Sequence, residues 1–332
     1  MASSIATDCM RAARPDHRPW LFTRSGWAGV QRYAWTWTGD VEATWTMLRR
    51  TLATVLNLGL SGIPYTGPDI GGFRGSPSPE LYVRWFQLAT FLPFFRTHSA
   101  IDSPAREPWT AARDHLDVIA KCLHLRYRML PYLYSLAQQA ALTGWPLVRP
   151  MWWPDQTDPY LQATADAFLL GDALVVAPVL DEGAEKRELT LPPGRWLDFG
   201  SDRPVEGRIE IDAPLTHIPV FVRAGSVIPT DDPDGPALHL YGRPERGLVT
   251  STVYADDGEG YGPSRTDEYV VGPQGDGVRV ERRSTGTYRR DRDLTIELHG
   301  LEGDEIVADG IAVSAASPRF TLPPFGVLTI GG

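Results

Sequence analysis

Four points in the first hundred residues join a chemically capable side chain to a preceding run of extended character. Arg24 follows PWLFT (19–23), Asp40 follows RYAWTWT (32–38), Asp69 follows GIPYTG (62–67), and Arg96 with His98 stands in FFRTH (94–98). Trp37 lies just before Asp40, and Phe73 just after Asp69. Carboxylates bind vicinal hydroxyls, aromatic faces cover the apolar faces of a sugar ring, and a carboxylic acid in a partly apolar site has a raised pKa. Together with an arginine these describe a glycosidase-type pocket. Each residue also has a plainer role. Asp40 precedes a helical pattern and suits an N-cap. Arg24 suits a structural ion pair, His98 a helix cap or core position, and Trp35 and Trp37 suit packing. No P-loop, GxGxxG, HExxH or GxSxG motif competes. DDGEGYG (256–262) lacks the ligand spacing and closing Glu of a calcium loop and reads as a tight turn between strands.

These positions matter only if the chain gathers them. The four extended runs are read as strands, from their aromatic and β-branched residues and the Gly or polar turns that end them. Between them, 42–58 places Trp45, Leu48, Leu52, Val55 and Leu56 on one helical face, with Gly59 and Gly62 as stops. Pro79 opens a second helix through Val83, Phe86 and Leu88. A third helical stretch runs from about Ala111, restarts at Pro131 and closes at Gly144. Strand–helix alternation is the rhythm of a parallel sheet with crossover helices, where functional groups sit at the C-terminal strand ends. Beyond Gly144 the period changes to short alternating runs separated by Gly, Pro and Asp, which predicts two antiparallel β-sandwiches. The expected divisions are 1–143, 144–232 and 233–332, with TDDPDGP (230–236) as the linker.

The whole-chain figures narrow the function classes. The 332 residues are 42% hydrophobic and 22% charged, with length for several cores. Residues 1–150 hold 16 Lys/Arg against 10 Asp/Glu, residues 151–332 hold 16 against 31, and eight of eleven Trp fall in the first half. That shift supports different architectures on the two sides of residue 144. The net charge of −9, without a basic stripe, argues against nucleic acid as a partner. Cys9 and Cys122 form no metal or disulfide pattern, so no metal and no cofactor is expected. No run of eighteen apolar residues and no basic-then-apolar leader follows Met1, so no membrane is expected as a partner and the expected compartment is the cytoplasm.

Longer motifs carry a resemblance. RPWLFTRSGWAGVQRYAWTWTGD, NLGLSGIPYTGPDIGGFRGSPSPELYVRWFQLATFLPFFRTHS and AREPW resemble the catalytic barrel of the α-glucosidases of glycoside hydrolase family 31. LRYRMLPYLYSLA, GDALVVAPVL, LPPGRWLDF and PVFVRAGSVIP resemble the join to that family's first C-terminal β-domain, and YADDGEGY resembles its second. The resemblance implies the last four strands of a (β/α)8 barrel followed by two β-sandwiches, and a retaining hydrolase acting at the non-reducing end of an α-linked oligosaccharide or α-glucoside. It makes Asp40 the general acid/base, and Arg24, Trp37, Asp69, Phe73 and His98 the substrate-binding residues. Val41 stands where Asn usually follows the Gly-Asp pair, and Pro68 replaces a small residue before Asp69. The family's nucleophile motif, of W-x-D-M-N-E type, has no match. The expectation is therefore a fragment, inactive alone, whose partner is a missing N-terminal half. The alternatives are a non-catalytic carbohydrate-binding protein, an α-xylosidase-type relative, or one half of a split enzyme.

Overall fold

The computed structural model describes residues 1–289, 293–301, 305–313 and 317–331. In the first part of the chain four extended segments lie side by side, in chain order and parallel. Thr23 donates to the Trp35 carbonyl and Trp35 to that of Leu21, around a parallel bridge between Phe22 and Trp35. Thr36 and Thr38 donate to Tyr65 and Gly67, and Phe94 donates to Thr66. Beyond them β1 (Asp69–Ile70) pairs in parallel with β2 (Arg96–Thr97). The regular ladders are thus much shorter than the four expected strands. Pro64, Pro68 and Pro93 have no N–H to give. Gly67 passes so close to the neighbouring segment that a Cβ there would lie 2.1 Å from the Phe94 carbonyl oxygen. Among the described residues nothing closes these segments into a full barrel, and they form its last four staves.

Helix α1 (Ala2–Ala13) precedes the first segment, and α2 (Trp45–Leu60), α3 (Pro79–Thr90), α4 (Pro108–Ala111), α5 (Leu116–Arg128) and α6 (Leu130–Thr143) follow the later ones. Thr44 caps α2, its hydroxyl accepting from the Met47 N–H at 3.3 Å, which leaves Asp40 free of the N-cap role. Ser78 caps α3, and Pro79 occupies its first turn, where a missing N–H costs nothing. Met129 separates α5 from α6, Pro131 sits in the first turn of α6, and Gly144 ends it in the left-handed region at φ 77°. Helix α3 is buried on every side from Leu81 to Thr90, the polar Arg84, Gln87 and Thr90 included. The reason is a second layer of β-structure against its polar face. Arg84 donates there to the carbonyls of Ala213, Pro214, Ala184 and His217, and burial lowers its pKa.

That layer is β3 (Val148–Pro150), α7 (Pro159–Ala163), β4 (Phe168–Leu170), β5 (Leu174–Val176), β6 (Lys186–Thr190), β7 (Trp196–Asp198), β8 (Pro204–Val205), β9 (Arg208–Asp212) and β10 (Val220–Arg223). The main sheet runs β3-β4-β5-β10-β7-β8, antiparallel throughout, with β6 and β9 paired separately. Side-chain alternation splits it between two cores. Phe168, Leu170, Leu174, Val176, Val220 and Val222 pack with α2, α3, α5 and α6, whereas Leu169, Val175 and Phe221 pack with Leu189, Ile209 and Ile211. The remaining strands are β11 (Ser226–Asp232), β12 (Gly235–Tyr241), β13 (Val249–Ala255), β14 (Arg265–Gln274), β15 (Gly277–Gly286), β16 (Leu294–His299), β17 (Glu305–Ala308), β18 (Ile311–Val313), β19 (Arg319–Leu322) and β20 (Val327–Gly331). They form two sheets, β11-β12-β16-β19 and β13-β14-β15-β20-β17-β18, around a shared core that includes Leu240, Ile296, Val271 and Leu328. The division expected at 232–233 falls in the turn of the β11–β12 hairpin, so pairing puts β11 in this second sandwich. The AVSAAS run (312–317) lies partly outside the described residues. No helix among the described residues is long and apolar enough to cross a membrane.

Candidate functional site

Three loops leave the ends of the parallel segments and bond to one another. Phe73 and Arg74 donate to the Val41 carbonyl at 2.8 and 3.1 Å, Ala43 donates to that of Arg74 at 2.8 Å, and Ala100 donates to that of Phe73 at 2.9 Å. The loops carrying Asp40, Phe73 and His98 therefore form one ledge. Gly71 and Gly72 permit it: both are left-handed, and a Cβ on either would stand 2.7 Å from its neighbour, the Tyr82 ring for Gly71 and the Ala43 backbone for Gly72. From the buried side Arg106, 5% exposed, donates Nε to the Gly72 carbonyl at 3.3 Å and Nη2 to that of Gly75 at 2.6 Å. Tyr82 in turn donates to the Arg106 carbonyl. Burial lowers the Arg106 pKa, and the nearby Tyr82 acts in the opposite direction.

Arg24 donates Nη1 to Asp40 Oδ2 at 2.9 Å, with the arginine exposed and the Asp40 side chain 19% exposed. Among the described residues no other donor reaches that carboxylate. The Arg24 guanidinium also lies 5.7 Å from the Trp37 ring centre. Arg96 holds the next group together. Its Nε donates to Asp69 Oδ1 at 2.5 Å, and its guanidinium carbon lies 4.8, 5.2 and 5.4 Å from the rings of Phe22, Trp37 and Phe94. Phe22 stacks on Trp37 and on Phe94, at 4.8 and 4.6 Å. The Phe73 and His98 rings face each other at 5.4 Å, with His98 exposed. Trp37 thus joins the Arg24–Asp40 pair to the Arg96–Asp69 pair.

Asp69 is fully buried. Burial raises its pKa; Arg96 and His98 pull it back, and the charge of Asp40 adds to the rise. Its Oδ2 and the Trp37 Nε1 are buried without a partner among the described residues, a cost of about 1–3 kcal/mol each. The six residues singled out from the sequence therefore gather at one end of the parallel segments, but not equivalently: Arg24, Asp40 and His98 reach the surface, while Asp69 lies under it. Arg96 stands beside His98 in the sequence reading but carries no assigned role there, and Phe22, Phe94 and Arg106 were not singled out. Their signals were present, in the Arg of FRTH, the Arg of AREPW and the aromatic of each extended run. Cavities also lie elsewhere, among them one lined by Phe91, Cys122, Phe199 and Ile218, one by Trp153, Leu169, Pro192 and Trp196, and one by Tyr132, Gln139, Val227 and Ser251.

Comparison with known proteins places this arrangement. Residues 1–136 match the model of the glycosyl hydrolases family 31 TIM-barrel domain, and residues 144–228 that of the glycosyl hydrolase family 31 C-terminal domain. Alpha-glucosidase 2 of Bacillus thermoamyloliquefaciens is 35% identical over 308 residues, which are 88% of this chain and 39% of that protein. A family 31 dextranase of Flavobacterium johnsoniae, solved with glucose and as a mutant with isomaltotriose, superposes with a TM-score of 0.89 at 26% identity, covering 99% of this chain and 48% of that one. A family 31 α-xylosidase of Xanthomonas citri superposes at 0.81 with 28% identity, covering 97% of this chain and 38% of that one. The chain thus spans less than half the length of these relatives.

Proposed function

The chain belongs to glycosyl hydrolase family 31, and from that membership we propose that the ledge is the acid/base side of a retaining α-glucosidase-type site. The observation that carries the proposal is the Arg24–Asp40 pair beside Trp37, an accessible carboxylate of the ledge whose one charged partner among the described residues is Arg24. Asp40 protonates the glycosidic oxygen as the leaving group departs, then takes a proton from the attacking water. Arg24 and His98 donate to hydroxyls of the sugar, and Trp37 and Phe73 present apolar faces to its ring. Asp69 lies beneath the surface and acts through Arg96, whose position between three aromatic rings it holds. The substrate is an α-linked oligosaccharide or α-glucoside, as the glucose and isomaltotriose bound by the dextranase support.

A retaining site needs a second carboxylate about 5–5.5 Å from the first. Asp69 is unsuited to attack a sugar carbon, being fully buried and committed to Arg96. We therefore place the nucleophile on polypeptide outside these 332 residues. The exposed Ile5, Met10, Trp20 and Trp27 around the first segment support an apolar partner surface there. The test is to assay the purified chain alone and with a co-expressed polypeptide carrying the second carboxylate, on maltose and on an aryl α-glucoside. The expected result is no turnover alone and turnover in the complex. Asp40→Asn then lowers the rate about 10²- to 10⁴-fold on maltose, and less on the aryl glycoside, whose leaving group needs no proton. Equal losses on both substrates, or none on maltose, would remove Asp40 from the acid/base role; turnover by the chain alone would refute the divided site.

A further inference from the structure

We propose that His239, Glu297 and His299 bind a divalent transition-metal cation of the zinc class, which ties the second sandwich to the rest of the chain. The three residues stand on the adjacent parallel strands β12 and β16, where His239 is in register with Glu297 and Tyr241 with His299. One ligand atom from each lies within 4.8 Å of the other two. His239 Nδ1 faces His299 Nε2 at 2.8 Å. The outer ring nitrogens each face a carboxylate: His239 Nε2 is 3.2 Å from Asp232 Oδ2, and His299 Nδ1 is 3.0 Å from both oxygens of Asp202.

Counting protons along this row exposes the need for a cation. A carboxylate only accepts, so each outer nitrogen carries its hydrogen. Two neutral imidazoles have no further hydrogen, and the two inner nitrogens confront each other with lone pairs. A positive charge between them resolves the conflict, and either a third proton or a metal ion supplies it. Two features favour the metal. The carboxylate of Glu297 stands 4.0 and 3.9 Å from the same two nitrogens, which gives a third ligand that a proton does not need. Among the described residues the only Arg or Lys partners of the Asp202, Asp232, Asp234 and Glu297 carboxylates are Arg128 and Arg319, which leaves two negative charges in excess. A divalent ion balances them and a proton does not.

The donor set suits zinc. Two imidazoles and a carboxylate are ligands of a four-coordinate site with one open position. Carboxylates on the outer nitrogens are the partners that fix ring orientation and raise ligand basicity in metal sites. Zinc–nitrogen bonds of about 2.0–2.1 Å in a tetrahedron require the two facing nitrogens to part by about half an ångström. The Glu297 side chain, 29% exposed, has room to close by a similar amount, and His239 forms the buried floor at 4%. Tyr241 stacks on His299 at 4.2 Å and steadies that ring. The outer ring spans the molecule: Asp202 comes from the turn after β7, held at φ 57°, and Arg128 from the end of α5.

The test uses the tag-free 332-residue chain, stripped with a chelator and titrated with ZnCl2 by calorimetry and with CoCl2 by visible absorption. The expected result is one ion per chain, the intense d–d bands of tetrahedral cobalt, and a zinc-dependent rise in thermal midpoint. Glu297→Gln and His299→Gln lose the cobalt bands and the rise. Asp202→Asn, which touches no metal, weakens binding about 10- to 100-fold while keeping the bands. Circular dichroism checks that each variant is folded, and only metal ligation moves the cobalt spectrum. A folded wild-type chain that takes up neither metal at millimolar concentration overturns the proposal in favour of a shared proton. Binding unchanged in both ligand variants overturns it as well.

Discussion

Asp256 offers a sharp test of how the β-structure supports the ledge. Its side chain is 5% exposed and accepts from Arg18 Nη1 at 3.0 Å, Tyr134 Oη at 2.7 Å, Tyr254 Oη at 2.9 Å and the Gly258 N–H at 2.8 Å. Arg18 also donates its N–H to the Glu259 carbonyl at 2.9 Å. Three distant parts of the chain meet here: the second sandwich, α6, and the segment that leads into the first parallel strand and Arg24. Asp256→Ala leaves four donors behind. The two tyrosine hydroxyls and the Gly258 N–H can turn to water, but Arg18 already has a buried Nη2 without a partner among the described residues. Removing one member of a buried pair costs about 3–5 kcal/mol. The one-third exposure of Arg18 discounts that toward about 2–4 kcal/mol.

The assay is urea unfolding of the 332-residue chain by tryptophan fluorescence, with Arg18→Met and the double variant completing a cycle. The reasoning requires single losses that do not add, with a coupling of about 0.5–3 kcal/mol. The pH dependence has a definite sign. Burial pushes the Asp256 pKa up, but hydrogen bonds from Tyr134, Gly258, Tyr254 and Arg18 outweigh it, and the net shift is downward. For a carboxyl depressed in the folded state, the stabilisation is complete above the unfolded value of about 3.9 and disappears as the pH falls through the lower folded value. The gap between wild type and Asp256→Ala should therefore be constant near neutrality and shrink in acid. A loss under about 1 kcal/mol, or a gap indifferent to acid, refutes the account.

Other substitutions probe the ledge itself. Gly72→Ala combines a left-handed φ with a 2.7 Å approach to the Ala43 backbone, and should cost about 2–4 kcal/mol in thermal or urea unfolding. Arg106→Met leaves the Gly72 and Gly75 carbonyls without their buried donor; a loss of about 2–3 kcal/mol is expected, with faster hydrogen exchange at the Phe73 and Ala100 amides. Arg96→Lys keeps a charge beside Asp69 but gives up a planar group lying among three rings, so a loss of about 1–2 kcal/mol should appear and not be rescued at low salt. Burial pushes the Cys122 thiol up to about 11 while Cys9 is exposed. The native chain at pH 8 should accordingly show one fast-reacting thiol, and a second only after denaturant.

Much of the ledge was legible because its parts are local. Pro79 and Gly144 mark helix ends by their own chemistry, and each does so here, whereas the cap of α2 falls to Thr44 and not to Asp40, whose position before the helix suits one. Arg24, Asp40, Asp69 and His98 each follow an extended run, and parallel alignment of those runs is enough to bring their loops together. The ladders were overestimated because strand propensity counts side chains, whereas a ladder needs backbone donors that Pro64, Pro68 and Pro93 lack. The burial of α3 on all sides was not legible for a non-local reason, since its polar face meets β-structure that lies more than a hundred residues later in the chain.

By itself, then, the sequence determined the kinds of element, their order, the change of architecture near residue 144, and which side chains sit at the ends of the parallel segments. Those properties depend on composition, on periods of two and 3.6 residues, and on residues next to one another in the chain. Only the tertiary structure decided that Asp69 is buried behind Arg96 while Asp40 is accessible, that Arg106 holds the loop of Phe73 from behind, and that His239, Glu297 and His299 face one another. Burial and the pairing of distant charges depend on which surfaces meet, and no spacing along the chain encodes them. His239 and His299 are 60 residues apart, and strand register alone puts their nitrogens within reach of one ion.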